Sequence, residues 1–182
     1  MSATNRGNKE KIKHEQYETP SRYADCFLMH INSNHKRILE PCCGNGSITE
    51  ALRRKYPTAF IHANDIQKMS NNWADLITQR DYLTMTEGEF DLIISNPPFS
   101  LAEEIIRHSL TTWEATLIML LRLNFLGSLK RYKFWGEYPV SRIYPTSKRP
   151  SFTGKGTDAT EYAWFVWEPD YISPDIVVIK GW

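Results

Sequence analysis

Several features that would assign this chain to a familiar class of protein are scarce or missing. No apolar run approaches the roughly 18 residues that a membrane span requires, and the polar start, MSATNRGNKEKIKHEQ, lacks the hydrophobic segment of a secretion signal. The 3 cysteines, Cys26, Cys42 and Cys43, form no C-x-x-C pair, which argues against a disulfide framework and a zinc site. We therefore expect a soluble, cytoplasmic protein without membrane partners or bound metal.

An excess of charge of either sign is also missing. The 182 residues include 22 Lys and Arg against 21 Asp and Glu, a net charge of +1, so any nucleic-acid surface must come from local clusters. This length suits one domain whose sheet is covered on both faces. Residues 1–15, rich in Lys, Glu, Asn and Gly, are predicted to be a flexible arm, and residues 16–182 one domain, monomeric or weakly dimeric.

Strand-like and helical segments alternate along the first two thirds of the chain. The predicted strands are the run around Ile38, then FIHAND, DYL, FDLIIS and ATLIMLLRL. Predicted helices lie around Ile48, over residues 73–80 and over LAEEIIRHSLTTW. This order predicts an α/β domain with a doubly wound, mostly parallel sheet, whose ligands bind beyond the carboxyl ends of the strands.

Beyond Asn124 the sequence becomes aromatic and basic. Two strand-like runs, SRIYP and EYAWFVW, flank TSKRPSFTGKGTDAT and predict a C-terminal antiparallel hairpin at the sheet edge with a long mobile loop. Lys148, Arg149 and Lys155 in this loop suit phosphate contacts, although a solvated hairpin would look the same. Residues 124–160 are therefore the candidate nucleic-acid-contacting region.

The loop LEPCCGNGS follows the first strand, where glycines let the backbone approach a ligand. It matches neither G-x-G-x-x-G nor a phosphate-binding P-loop, and Glu40 at the strand end suits a ligand with a cationic group. Asp65 ends the second strand, at a spacing suited to a ribose diol, and Asp81 could accept from an exocyclic amine. Singly, each signal is also compatible with an ordinary turn or cap; together they outline a pocket for a cationic, adenosine-like ligand.

The fourth strand stops at Asn96-Pro97-Pro98-Phe99. Two prolines end any ladder and stiffen the backbone, so Asn96 and Phe99 act from a rigid support. The alternative is a strand followed by an Asn-Pro turn.

In order, YETP, LEPCCGNGSI, IHANDI, DYL and NPPF resemble the amino-methyltransferases, and among them the adenine-specific N6 DNA methyltransferases of the small phage and prophage type. The resemblance covers residues 17–167. It implies a Rossmann-like methyltransferase domain that uses S-adenosyl-L-methionine, flips an adenine out of double-stranded DNA and methylates N6 directly, without a covalent intermediate. One departure is Glu40-Pro41-Cys42-Cys43, where the family more often has Asp-Pro-Pro-Cys, but an acid is retained.

The resemblance also assigns roles to individual residues. Asn96 and the Pro97 carbonyl would accept the two N6–H bonds, Pro98 completes the rigid motif, and Phe99 would stack on the base. The residues assigned to the cofactor are Tyr17, Thr19, Pro20, Glu40, Cys42, Gly44, Gly46, Asp65, Ile66, Asp81, Tyr82 and Asn96. The residues assigned to nucleic acid are Lys148, Arg149, Phe152 and Lys155, with Lys130, Arg131 and Lys133 as a second basic cluster.

Three alternatives remain open on the sequence. The same chemistry on RNA is the first, because NPPF also occurs in RNA adenine methylases. Protein glutamine methylation is disfavoured by Phe99, since those enzymes generally carry Tyr there. A non-catalytic nucleic-acid binder would not need Asn96 or the acids at the strand ends.

Overall fold

A computed structural model describes residues 19–69, 73–150 and 160–171. In them, seven strands form one sheet in the order β3-β2-β1-β4-β5-β7-β6. The strands are β1 (Arg37–Glu40), β2 (Phe60–Asp65), β3 (Leu76–Gln79), β4 (Leu92–Ser95), β5 (Thr116–Arg122), β6 (Arg142–Pro145) and β7 (Tyr162–Trp167), and the α-helices are α1 (Ser21–Leu28), α2 (Ser47–Lys55), α3 (Ala102–Thr112) and α4 (Tyr132–Glu137). Strands β1 to β5 pair in parallel, whereas β7 is antiparallel to both β5 and β6.

Two apolar layers cover the two faces of the sheet. On one face, Phe27 of α1 and Leu52 of α2 are buried in one cluster with Ile38 of β1. On the other face, Ile106 of α3 and Phe134 of α4 belong to a separate cluster. The central strand β5 has five consecutive buried residues, as expected for a strand covered on both sides. The predicted doubly wound sheet and the C-terminal antiparallel hairpin are confirmed.

Two predicted elements are wrong. The helix predicted over residues 73–80 is largely strand β3, which pairs with β2 from His62↔Leu76 to Asp65↔Gln79. Because β3 is an edge strand, Leu76 and Ile77 are both 42% exposed, and the alternation that marks a half-buried strand is missing. The predicted strand DYL is a 3-10 turn over Tyr82–Thr84.

Some sequence-based expectations fall outside the described residues. These are the arm over residues 1–15, Tyr17, Phe152 and Lys155. Among the residues that are described, no helix is long and apolar enough to cross a membrane.

Candidate active site

Polar residues follow four neighbouring strands at one edge of the sheet. Asp65 ends β2, Glu40 ends β1, Asn96 follows β4 and Arg122 ends β5. Because β2, β1, β4 and β5 are adjacent and parallel, these residues lie along one edge in that order. The edge therefore joins the predicted cofactor residues to the NPPF motif.

The loop between β1 and α2 is shaped by two glycines. Gly44 and Gly46 have φ of 50° and 82°, the left-handed conformation that glycine adopts most readily. A Cβ on Gly44 would meet no atom within 4 Å, so the position requires glycine for its backbone angle. Gly46 precedes α2 as its N-cap, so the loop delivers the start of that helix to the site.

Asp65 is held by main-chain donors from two segments. Its Oδ2 accepts from the Gly44 N–H at 2.9 Å, and its Oδ1 accepts from the Gln67 N–H at 2.9 Å. Its carboxylate is thereby fixed against the glycine loop and is half-buried. The next residue, Ile66, is 63% exposed and offers an apolar surface beside it.

Asn64, which the sequence analysis did not single out, ties the predicted cofactor site together. Its buried side-chain amide donates to the carbonyls of Pro41 at 3.1 Å and Arg80 at 3.0 Å. Its Oδ1 accepts from the Thr78 hydroxyl at 2.8 Å and the Arg80 N–H at 3.1 Å. Since the amide has two donors and one carbonyl oxygen with two lone pairs, all its hydrogen-bonding capacity is used. The residue thus fastens the end of β1 to the end of β3.

Glu40 is a carboxyl group deep in the site. It is 1% exposed, and its Oε2 accepts a hydrogen bond from the Thr49 hydroxyl of α2. Burial holds the pKa of Glu40 well above its usual range, partly opposed by the Thr49 contacts. A cationic group placed beside it would favour the ionised form, which matches the expectation of a positively charged ligand.

The cysteines of the loop are enclosed by the site. Burial, and then the charges of Asp65 and Glu40, raise the pKa of the Cys42 thiol, so it stays protonated. Cys43 is buried with its Sγ 3.0 Å from the Sδ of Met69. Cys26, on α1, is exposed. Over the described ranges, no group of three or more His, Cys, Asp and Glu side chains could hold a metal ion.

Asn96 stands where the glycine loop meets the end of β4. Its side-chain amide donates to the Thr19 hydroxyl at 3.0 Å, and Thr19 is 4% exposed. The preceding residue, Ser95, donates to the Cys42 carbonyl at 3.5 Å, so the two motifs are in contact. Pro97 is buried, and the Pro98 carbonyl accepts from the Leu101 N–H at 3.0 Å as the chain enters α3.

Phe99 is half-buried and is flanked by one residue of β5 and one of β7. The guanidinium of Arg122 lies 4.5 Å from the centre of its ring, and the ring of Tyr162 lies 5.7 Å away. Neither partner was predicted from the sequence. An arginine at the end of the otherwise apolar run ATLIMLLRL was the available signal.

Tyr82 and Asp81, two of the predicted cofactor residues, have side chains with hydrogen-bond partners inside the protein. The Tyr82 side chain is 4% exposed, bonds to Ser109 at 2.7 Å and stacks on Trp113, so its ring belongs to the core. The prediction that Tyr82 contacts the cofactor remains a prediction, and the burial of its ring favours a contact through its backbone. Asp81 is exposed, but its carboxylate accepts from the Leu83 N–H at 3.0 Å as the cap of the 3-10 turn.

The predicted nucleic-acid residues are only partly available. Lys148 is exposed, whereas Arg149 forms an ion pair with Glu161 across the hairpin. In the second basic cluster, Arg131 donates to the Phe125 carbonyl at 2.8 Å and covers the Phe125 ring at 4.3 Å. These contacts hold Arg131 against Phe125, whereas Lys130 and Lys133 are exposed, and Lys133 lies 3.9 Å from a Glu137 carboxylate oxygen.

The sheet order and the site at its carboxyl edge define the class I S-adenosylmethionine-dependent methyltransferase fold, to which a Listeria monocytogenes structure of TM-score 0.59 and 13% identity also belongs. More specifically, the chain belongs to the Methyltransferase small domain family, whose model matches residues 22–115, just over half of its length. The class confirms the expected fold and S-adenosyl-L-methionine as the cofactor.

Curated relatives match a shorter segment. Ribosomal RNA small subunit methyltransferase C of Shewanella loihica is 35% identical over 85 residues, which make up 41% of this chain and 25% of that protein. Its counterpart in Haemophilus influenzae is 34% identical over 73 residues, 35% of this chain and 22% of that protein. The matches thus span about a quarter of the relatives' length.

Solved structures resemble most of the chain at low identity. TrmN from Thermus thermophilus has a TM-score of 0.59 at 19% identity, covering 87% of this chain and 51% of its own. TomG from Streptomyces achromogenes, an O-methyltransferase solved in complex with S-adenosylmethionine, has a TM-score of 0.58 at 10% identity, covering 86% and 84%. At such identities the likeness concerns the fold alone.

Proposed function

We propose that this chain transfers a methyl group from S-adenosyl-L-methionine to the exocyclic N6 of adenine in RNA. One observation carries the proposal: Asn96, at the end of β4, directly adjoins the glycine loop through the contact of Ser95 with Cys42. A methyl donor bound by that loop and an amine held by Asn96 would be neighbours, as direct transfer requires.

The chemistry of the site supports transfer without a covalent intermediate. The N6 lone pair of adenine is delocalised into the ring, so an enzyme must hold the amine in a geometry that localises the pair. Amide and carbonyl oxygens from Asn96 and Pro97, fixed by the rigid Pro97-Pro98 backbone, are acceptors suited to that task. The protonated thiol of Cys42 offers no nucleophile for a covalent route.

The choice of RNA follows the relatives. Proteins named as ribosomal RNA methyltransferases match this chain at 33–37% identity, which favours RNA over the double-stranded DNA first expected from the sequence. These relatives come from bacteria, so the expected phage type receives no support from them. DNA remains the second candidate, because the resemblance of NPPF and the hairpin loop to adenine-specific DNA methylases still stands.

The substrate can be tested directly. Purified protein is incubated with methyl-labelled cofactor and equal masses of ribosomal RNA, other single-stranded RNA, double-stranded RNA and duplex DNA, and the products are digested to nucleosides. We expect N6-methyladenosine from RNA, with Asn96→Ala as the inactive control. If only DNA yields N6-methyladenine, DNA rather than RNA is the substrate. A methyl group on another base would overturn the assignment to adenine.

A further inference from the structure

A cation, a ring and a hydroxyl form a cluster at the end of β5, beside the NPPF motif. The Arg122 guanidinium lies 4.5 Å from the centre of the Phe99 ring, and its Nε donates to the Tyr162 hydroxyl at 3.1 Å. Arg122 and Tyr162 face each other in the antiparallel register of β5 and β7. We call these two residues, with Phe99, the Arg122 cluster.

The support of this cluster is rigid. Tyr162 is fully buried in the core layer that also contains α1 and α2, so its hydroxyl is a fixed acceptor. Arg122 is half-buried and is therefore held at two points, by the hydroxyl through Nε and by the ring through its planar face. A guanidinium placed in this way restricts the ring that it covers.

Phe99 needs such restriction if it is to stack on a base. Pro97 and Pro98 fix the backbone that leads to it, but the orientation of the ring about its own side-chain bonds is set by the groups packed around it. Aromatic contacts depend on the relative orientation of the two rings. Resting on the proposed function, we propose that Arg122, anchored by Tyr162, is a positioning residue that fixes the Phe99 ring for stacking on the target adenine.

A second role for Arg122 is compatible with the same geometry. Arg122 could contact a phosphate of the target strand, in which case its charge would matter and Phe99 would not. The two roles differ in their coupling to Phe99 and in the salt dependence of RNA binding.

A double-mutant cycle separates these roles. Single-turnover methyl transfer to RNA is measured at saturating cofactor for the wild type, Arg122→Met, Phe99→Ala and the double variant. We expect Arg122→Met to slow transfer roughly threefold to thirtyfold when Phe99 is present, as for loss of a cation–ring contact. In the Phe99→Ala variant, the same change should have no further effect on the rate. Tyr162→Phe should give a smaller loss of the same kind, and the slope of log affinity against log salt should not change.

Arg37 offers a matched control at the opposite end of the sheet. Its guanidinium lies 5.1 Å from the Phe60 ring and its Nε donates to the Glu89 carbonyl at 2.7 Å, so it too combines a ring contact with one Nε hydrogen bond. Arg37→Met should leave the transfer rate unchanged. If it slowed transfer as much as Arg122→Met, a general loss of folding stability would explain both results.

A spectroscopic measurement tests positioning without turnover. The protein is labelled with fluorinated phenylalanine, and the Phe99 resonance is assigned by its loss in Phe99→Leu. We expect that resonance to shift in Arg122→Met and in Tyr162→Phe but not in Arg37→Met. An unchanged Phe99 resonance, additive losses in the cycle or a flatter salt slope for Arg122→Met would each overturn the proposal. A wild type that methylates no nucleic acid would overturn the proposed function instead, and the spectra would then decide alone whether Arg122 orients Phe99.

Discussion

The proposed cofactor side of the site, from β1 to β3, is held mainly by hydrogen bonds to the main chain, whereas on the proposed target side, from β4 to β7, the Phe99 ring contacts a guanidinium and a second ring. On the first side, Asn64 and Asp65 together make six contacts of 2.8–3.1 Å, five of them with the main chain. On the second, the Arg122 guanidinium and the Tyr162 ring flank Phe99. Main-chain hydrogen bonds fix the geometry of a pocket, whereas the contacts around Phe99 fix the orientation of one ring.

The sharpest test of this division is Asn96→Ala, where the two sides meet. We expect methyl transfer to fall at least about a hundredfold, as for removal of a preorganised polar group, while cofactor affinity stays nearly unchanged. Single-turnover kinetics and cofactor calorimetry measure the two quantities. Transfer at the wild-type rate would end the proposed mechanism.

Asp65→Ala is expected to affect the cofactor side alone. Loss of a ribose contact, together with release of the Gly44 and Gln67 N–H groups, should weaken cofactor binding by about 1–3 kcal/mol. Affinity for RNA in the absence of cofactor should not change, which a filter-binding assay can check. Calorimetry that gives wild-type affinity for the cofactor would remove Asp65 from the site.

Thr19→Val tests the hydrogen bond that orients Asn96. The isosteric change removes the acceptor for the Asn96 amide and should slow transfer roughly fivefold, the effect of about 1 kcal/mol. Thr19→Ser keeps the hydroxyl and should restore the rate. If the serine and valine variants are equally slow, the Thr19 hydroxyl does not determine the rate of methyl transfer.

Glu40 makes the cofactor side sensitive to pH. Because burial raises the pKa of Glu40, the folded protein keeps this proton at pH values where the unfolded chain has already lost it. The free energy of unfolding therefore falls as pH rises from the unfolded pKa of Glu40 to its folded pKa. A cationic cofactor favours the ionised form, so its affinity should rise over the same window. Calorimetry at several pH values should show this rise in the wild type and a flat profile in Glu40→Gln.

The smallest expected effect concerns the basic residues of the segment between β6 and β7. Replacing Lys148, Arg149 and Lys155 with Ala should flatten the slope of log affinity against log salt by about 0.7 per lost contact on single-stranded RNA and about 0.9 on duplex DNA. Arg149 should contribute least, because Glu161 already neutralises it. Equal slopes for variant and wild type would mean that these three residues do not contact phosphates, and Lys130 and Lys133 would be the next residues to test.

The same division explains what the sequence could predict. The glycine loop and NPPF carry their signals within a few neighbouring residues, so their places at the ends of β1 and β4 were foreseeable. Strand β3 was not, because its Leu76 and Ile77 are both exposed at the sheet edge, so the alternation that marks a half-buried strand is missing. Arg122 and Tyr162 are 40 residues apart and meet only through the β5–β7 register, which no local pattern encodes.

The three cysteines have a practical consequence for following the enzyme at work. Cys26 is exposed on α1, whereas Cys43 is buried and the raised pKa of Cys42 keeps its thiol unreactive near neutral pH. A thiol-reactive dye should therefore attach at one position of the unmodified chain. That position lies on α1, which begins two residues after Thr19. Because the Thr19 hydroxyl accepts a hydrogen bond from Asn96, the dye would report on the helix next to this contact.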